Sequence, residues 1–415
     1  MTKRQLLRDR QSLLEQISAL QAENLRAELS RDDAEPPVPD SPQEEEARVS
    51  RSGAFSRFPL LKAVDEAHAH CALPDPAAPQ AAAPPQAAQV AEHLRRYAAS
   101  HFGIHAGRAL YAHFLGAMAA ADFILLRCEE RNAGEGALLF CKAVAAAWGR
   151  EIDLTVVRPH WSRPTYLLGE AGPQVWQYQE TPFLRALYEA GWQEGACFAA
   201  LENVTAAPPE GYLKPLLAAL RCARGMRELP LAQDSWPGDP LLLRGGALPY
   251  PENLWLLGTL PPEEPPPAYL RGVAMEFCLP ALREKPFLAS LAGPSGLPAR
   301  QLRALFAQAM ETHALPEEPL RLARALEEYL AARMELSLGA EMQPLLLRFG
   351  SVCLACGLRP GEALDGFFYH KALRRLENAD PVTLHYELPG LRRFLKETFG
   401  RNALPLTMEY LDTFG

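Results

Sequence analysis

A short glycine-containing segment follows an apolar run and could bind phosphate. The run Phe123–Leu126 predicts a buried strand, and Gly134 and Gly136 follow it. In a phosphate-binding loop of the type Gly-x-x-x-x-Gly-Lys-Ser/Thr, backbone N–H groups surround the phosphates, the lysine contacts them and the hydroxyl holds Mg²⁺. This chain has Ala137 at the lysine position and Leu138 at the hydroxyl position. The segment therefore keeps glycines but lacks the side chains that bind nucleotide.

The elements that would position this segment alternate between strand and helix. Five short apolar runs predict strands: Phe123–Leu126, Ile152–Val157, Cys197–Leu201, Leu254–Gly258 and Val273–Phe277. Stretches with helical periodicity lie between them. This alternation is typical of a parallel sheet that is covered by helices on both faces. We therefore predict an α/β core over residues 90–290.

Helical periodicity replaces the strands after about residue 295. It extends over 299–312, 317–336, 340–356, 361–377 and 389–398, and predicts an all-helical domain over 291–415. Within this domain, Lys371-Ala-Leu-Arg-Arg375 forms a small basic patch. We expect that patch on a solvent-exposed helix face, where charged side chains are usual.

Two further segments are predicted before the core. Residues 1–30 show a seven-residue repeat of leucines, typical of either a short coiled coil for oligomerisation or a frayed amphipathic helix. Residues 31–89 are acidic at first and later rich in Ala and Pro, which predicts a disordered linker. An apolar piece within it, Phe55 to Val64, could be a docking peptide. Asp65-Glu-Ala-His68 spells a helicase motif, which we interpret as coincidence in a linker.

Five segments occur in an order and at spacings that are specific as a set. They are residues 123–137, Val157–Trp161 with Tyr166–Gly169, Glu180–Ala190, Phe198–Val204, and Leu248–Thr259 with Leu270–Phe277. Together they resemble the McrB-like, dynein-related branch of the AAA+ P-loop NTPases. The resemblance covers residues 108–280, and it implies a P-loop NTPase-like core that is followed by a helical lid.

The resemblance also implies roles for three further motifs. The family carries an Asp-Glu pair, for Mg²⁺ and for polarising water, where this chain has Glu202 and Asn203, and an amide cannot act as a general base. It carries a polar residue after a Gly-Thr pair, where Thr259 is here followed by Leu260. Arg271 matches an arginine of the family. It is either an arginine finger that acts on a neighbour's nucleotide or an arginine in a salt bridge.

The composition is typical of a globular protein without a general affinity for nucleic acid. The chain has 415 residues, is 48% hydrophobic and carries a formal net charge of -8. Neither a signal peptide nor an apolar run long enough for a membrane span is visible, so we expect a cytoplasmic protein. The eight cysteines predict reduced core residues, and the CxxC pair Cys353 and Cys356 is interpreted as one face of a buried helix.

The sequence therefore predicts a catalytically inactive AAA+-like scaffold or regulatory subunit without a cofactor or metal. We expect it to assemble with a protein partner, either further copies of itself or an active relative. The alternative is a divergent NTPase that binds nucleotide and acts in DNA restriction or remodelling. A third possibility is a regulatory protein that uses the pocket for another ligand.

Overall fold

The apolar runs form one parallel sheet. The strands in chain order are β1 Phe123–Cys128, β2 Asp153–Val156, β3 Glu170–Ala171, β4 Tyr178–Gln179, β5 Cys197–Glu202, β6 Glu228–Pro230, β7 Ala247–Pro249, β8 Leu254–Leu260 and β9 Met275–Leu279. The central sheet has the order β2-β5-β8-β1-β9, and all its neighbouring strands are parallel. Strands β1, β8 and β9 are buried along their whole length, which explains their continuous apolar sequences. The five predicted strands are confirmed.

This computed structural model describes residues 56–73, 84–128, 133–172, 177–261, 265–280, 299–400 and 402–414. The predicted helix of residues 1–30 lies outside these ranges, as does the predicted domain boundary at residue 290. Residues 56–415 form one compact unit. Within the described residues, no helix combines the length and the apolar character that crossing a membrane requires.

Helices cover both faces of the sheet. Those that precede or connect the strands are α1 Pro59–Ala67, α2 Ala87–Phe102, α3 Arg108–Ala120, α4 Ala133–Ala147, α5 Thr165–Leu168, α6 Pro182–Gly191, α7 Pro209–Tyr212, α8 Lys214–Arg221 and α9 Ala268–Arg271. One hydrophobic cluster joins the sheet to α2, α3 and α4, and a second joins the other face to α1, α6 and α8. The predicted α/β class with helices on both faces is confirmed.

The residues after 298 are helical. The helices are α10 Ala299–Thr312, α11 Glu317–Met334, α12 Met342–Ala355, α13 Pro360–Phe367, α14 Pro381–Phe399 and α15 Pro405–Asp412, with a π-helical turn at Phe368–Ala372 and a 3₁₀ segment at Leu373–Asn378 between α13 and α14. The predicted helix at 389–398 begins earlier, because the Asp380 side chain caps the Thr383 N–H at 2.8 Å and Pro389 lies inside the helix.

These helices share a core with the sheet. Helix α12 packs along α3, and Gly116 lies in this contact. A Cβ atom at Gly116 would lie 2.9 Å from the Phe349 carbonyl oxygen and 3.0 Å from Cys353 Sγ. Cys353 and Cys356 are both buried and unbonded to each other, so the CxxC pair lies in the helix packing.

The prediction of a disordered linker over 31–89 is wrong for residues 56–73. Phe58 and Leu61 are completely buried there, and α1 packs against α6. The carboxylate of Asp65 accepts hydrogen bonds from the Tyr188 hydroxyl and, at 2.9 Å, from the Leu241 N–H. The apolar piece that could have been a docking peptide therefore packs on its own chain over residues 58–64. Asp65, the first residue of the helicase-like Asp-Glu-Ala-His stretch, is held by these hydrogen bonds within the fold.

Candidate functional site

The carboxyl ends of the central strands meet at one edge of the sheet, where ligands of open α/β sheets bind. We call this the carboxyl edge. In register, Arg127 near the end of β1 lies between Leu260 on β8 and Cys278 on β9. Glu202 ends the next strand beyond β8. The residues that were predicted to surround a nucleotide therefore lie at or after these strand ends.

Both glycines of the segment lie within a helix. Strand β1 ends at Cys128 and α4 begins at Ala133, so Gly134 and Gly136 fall within the first turns of the helix. Ala137 is completely buried in the hydrophobic cluster between the sheet and α2 to α4. The lysine position therefore faces the protein core, and Leu138 beside it is half-buried.

The strand ends bring Asn203 and Thr259 together. Asn203 adopts a left-handed backbone conformation with φ 59°, which asparagine tolerates better than most residues. Its N–H donates to Thr259 Oγ1 at 2.9 Å, and Thr259 is buried. Glu202 is half-buried, and Leu260 is buried. The threonine hydroxyl thus fixes the turn after β5, and the only carboxylate of this group is Glu202.

Arg271 is an interior residue. Its exposed fraction is 2%, its guanidinium donates to the carbonyl oxygens of Pro266 at 3.2 Å and Arg374 at 2.7 Å, and it pairs with Glu276 and Glu377 at 3.3 Å each. These contacts fit the second of the two predicted roles, an arginine in a salt bridge. A finger role would require the guanidinium to leave four partners of its own chain, and that role stays a prediction.

A partly buried carboxylate, with an exposed side-chain fraction of 12%, organises the charges at the carboxyl edge. Glu377 accepts from Arg127 at 2.6 Å, pairs with Arg374 and Arg271 at 3.3 Å, and accepts the Tyr410 hydroxyl at 3.2 Å. We call these five residues the Glu377 cluster. It joins the end of β1 and helix α9 to the 3₁₀ segment after α13. Glu377, from the C-terminal helical region, therefore holds Arg127, which precedes the glycine segment.

The charge state of this region follows from burial and from the arginines. Burial alone would raise the pKa of Glu377, but the charges of Arg127, Arg374 and Arg271 keep it below its usual range. Burial lowers the pKa of Lys371 to about 8, and its ammonium donates to the Ala274 carbonyl oxygen at 2.7 Å. The Glu377 carboxylate is thus ionised at neutral pH.

The predicted solvent-exposed patch at 371–375 is wrong. Lys371 and Arg374 are almost completely buried. The Lys371 ammonium donates to the carbonyl oxygen of Ala274, between α9 and β9, and the Arg374 guanidinium lies 4.0 Å from the ring centroid of Tyr410 on α15. Arg375 pairs with Glu341 at 3.1 Å. Sequence reasoning missed Glu377 as well, since nothing in the local pattern marks a partner that is 250 positions away. The one available signal was the run of charges in a segment that is otherwise apolar.

Within the part of the chain that the structure describes, no group of three or more His, Cys, Asp or Glu side chains is arranged to hold a metal ion.

Comparisons with known proteins find similar solved structures but no family. No family model matches the chain, and no curated protein matches it. Among solved structures, the chain is similar to a putative ATPase from Cytophaga hutchinsonii ATCC 33406. The two are 12% identical with a TM-score of 0.46, and the match covers 69% of this chain and 85% of that chain.

Proposed function

We propose that this chain is a non-catalytic AAA+-like scaffold or regulatory subunit of the McrB-like type. In this proposal the P-loop NTPase-like core is retained for assembly with a protein partner and not for hydrolysis. The observation that carries it is Ala137, which stands at the lysine position and is completely buried. A lysine that contacts phosphates contributes a charge-assisted hydrogen bond of about 1.5–3 kcal/mol, and this chain has none at that position.

The other positions at the carboxyl edge support the same proposal. Asn203 is an amide whose backbone N–H is already bonded to Thr259, and Leu260 is buried and apolar. The Glu377 carboxylate pairs with Arg127 directly before the glycine segment, where a phosphate would compete with it. These residues do not fit a nucleotide with Mg²⁺, so we derive no hydrolytic step.

The partner in this proposal is a protein, either another copy of the chain or an intact AAA+ relative, and the location is the cytoplasm. Two outcomes follow for a purified chain mixed with such a relative. A stable complex whose ATP turnover belongs to the relative supports the scaffold role. A chain that stays monomeric and apart from every AAA+ protein of its own cells contradicts it.

Nucleotide binding is the direct test. The full chain is titrated with ATP and with GTP, with and without Mg²⁺, by calorimetry and by thermal unfolding. A nucleotide at 100 times its dissociation constant would stabilise the fold by about 2.7 kcal/mol. We expect no Mg²⁺-dependent heat, no Mg²⁺-dependent stabilisation and no phosphate release.

A pair of variants shows whether any measured turnover comes from this chain's own pocket or from a contaminating enzyme. Glu202→Gln removes the one carboxylate at the end of β5. Glu210→Gln makes the same chemical change, from carboxylate to amide, at an exposed position. Mg²⁺-dependent turnover that Glu202→Gln abolishes and Glu210→Gln preserves would favour the divergent NTPase instead.

A further inference from the structure

A second group of arginines lies at the opposite edge of the sheet, where β1 begins. The buried Asp122 pairs with Arg224 through both oxygens at 2.8 and 3.1 Å, with Arg227 at 2.6 Å and with Arg303 at 2.7 Å. These side chains come from the loop after α8 and from helix α10. We call them, together with Tyr250, the Asp122 cluster.

Two polar groups of this cluster have no partner among the described residues. They are the Tyr250 hydroxyl and one terminal nitrogen of Arg303, both shielded from solvent. Tyr250 is 95% buried, with an exposed fraction of 5%, and the Arg227 guanidinium lies 6.0 Å from its ring centroid. Buried donors without a partner are costly, so such groups usually bind water or a ligand.

The cluster also has an excess of positive charge. Three arginines surround one carboxylate, which leaves two positive charges, or one if the exposed Glu252 beside Gly225 is counted. Burial and the charge of Arg224 lower the pKa of Arg303 to about 10 even with Asp122 in contact. An added anion would reduce this repulsion.

The cluster is open to solvent on one side. The side chain of Arg224 is 37% exposed, whereas those of Arg227 and Arg303 are 13% and 19% exposed. The Arg303 guanidinium is held in place by stacking over Trp255 at 3.9 Å and by the Glu252 carbonyl oxygen at 2.9 Å. The donors are therefore fixed by the fold, and a ligand would enter beside Arg224.

We propose that the Asp122 cluster binds a phosphate group at the edge of the sheet where β1 begins. The ligand would be held by Arg224, Arg303 and the Tyr250 hydroxyl. Phosphate fits better than a carboxylate because Asp122 already supplies one carboxylate and three arginines still leave an excess of positive charge. The planar guanidinium of arginine also matches the spacing of phosphate oxygens. This site is independent of the nucleotide pocket and of the proposed function.

The test uses the full chain and two probes, inorganic phosphate and pyrophosphate, measured by calorimetry and by thermal unfolding. Sodium chloride at the same ionic strength controls for screening. We expect saturable binding that raises Tm. Tighter binding of pyrophosphate would assign the site to a ligand that carries phosphate, and equal or weaker binding would assign it to the free ion.

Three variants decide whether the cluster is the site. Arg224→Gln should weaken phosphate binding about tenfold or more, because it removes a charged donor. Tyr250→Phe should weaken it about threefold while leaving Tm without phosphate unchanged, since the hydroxyl has no partner to lose. Arg244→Gln removes an exposed arginine outside the cluster and should change nothing.

The Tyr250→Phe variant keeps the proposal testable if Arg224→Gln unfolds. Phosphate binding that is equal in the wild type and in Tyr250→Phe overturns the proposal. A Tm shift that sodium chloride reproduces at the same ionic strength also overturns it.

Discussion

Glu377 is the residue on which the buried charges of the carboxyl edge depend. Replacing it with glutamine would leave Arg127, Arg271 and Arg374 without their shared carboxylate in the protein interior. Breaking a buried ion pair from one side costs about 3–5 kcal/mol. We expect Glu377→Gln to lower the free energy of unfolding in urea by that amount at pH 7. Glu397→Gln, at an exposed position, should stay within about 0.5 kcal/mol, and equal losses in both variants would contradict this assignment.

Two buried histidines make stability depend on pH. Burial lowers the pKa of His113 from 6.5 to about 4 and the pKa of His370 well below 6.5. Both are neutral in the folded state, so only the unfolded chain takes up protons below 6.5. Stability should be full above pH 6.5 and fall towards pH 4 by about 1.4 kcal/mol per pH unit for each histidine.

Urea unfolding between pH 7 and 5 measures this dependence. His113→Gln should reduce the dependence of the free energy of unfolding on pH by the contribution of one histidine. His385→Gln, on the surface of α14, should leave this dependence unchanged. A free energy of unfolding that stays constant over this range would show that these rings are not held neutral.

Residue types could be predicted from the sequence at the carboxyl edge, but their partners could not. Ala137, Leu138 and Asn203 follow from the motif comparison alone. The environment of Arg271 depends on Arg374 and Glu377, which lie more than 100 positions further along the chain. Long-range ion pairs leave no periodic signal, so only the folded chain shows which charges are buried.

At the scale of single elements, the packing of helix α1 on α6 can be tested. Its neighbouring leucines differ in environment, since Leu61 is completely buried and Leu60 is 45% exposed. Truncating a buried leucine removes its packing and leaves a cavity, which costs about 2–5 kcal/mol. We expect Leu61→Ala to show this loss in thermal or urea unfolding and Leu60→Ala to stay within about 0.5 kcal/mol. Two equally mild variants would mean that α1 does not pack on α6.

The elements were predictable where burial leaves a pattern. The five strands could be found because parallel strands that are buried on both faces are continuous apolar runs. Helix α1 was missed because Ala- and Pro-rich sequence follows it, and composition dominated the interpretation of residues 31–89. The start of α14 was misplaced because the predicted periodicity began only at residue 389, inside the helix, whereas the Asp380 cap sets its start.

At the scale of the whole molecule, the contact between α3 and α12 decides whether the sheet and the C-terminal helices unfold together. Gly116→Ala would place a methyl group 2.9 Å from the Phe349 carbonyl oxygen. We expect a loss of about 1–3 kcal/mol, because overpacking outweighs the better helix propensity of alanine. Gly361→Ala, where nothing lies within 4 Å, should be neutral or stabilising by up to about 1 kcal/mol. The unfolding curves of both should remain a single transition, and two separate transitions would refute the shared core.

The stacking of Arg303 on Trp255 has a practical consequence for anyone who wants to divide this protein. A cut between residues 281 and 298 would leave the indole and Asp122 on one piece and the guanidinium on the other. The first piece would expose the largest buried aromatic side chain of the sheet, and the second would expose the apolar side of α12. Each piece alone should aggregate, and only their simultaneous expression should return folded material.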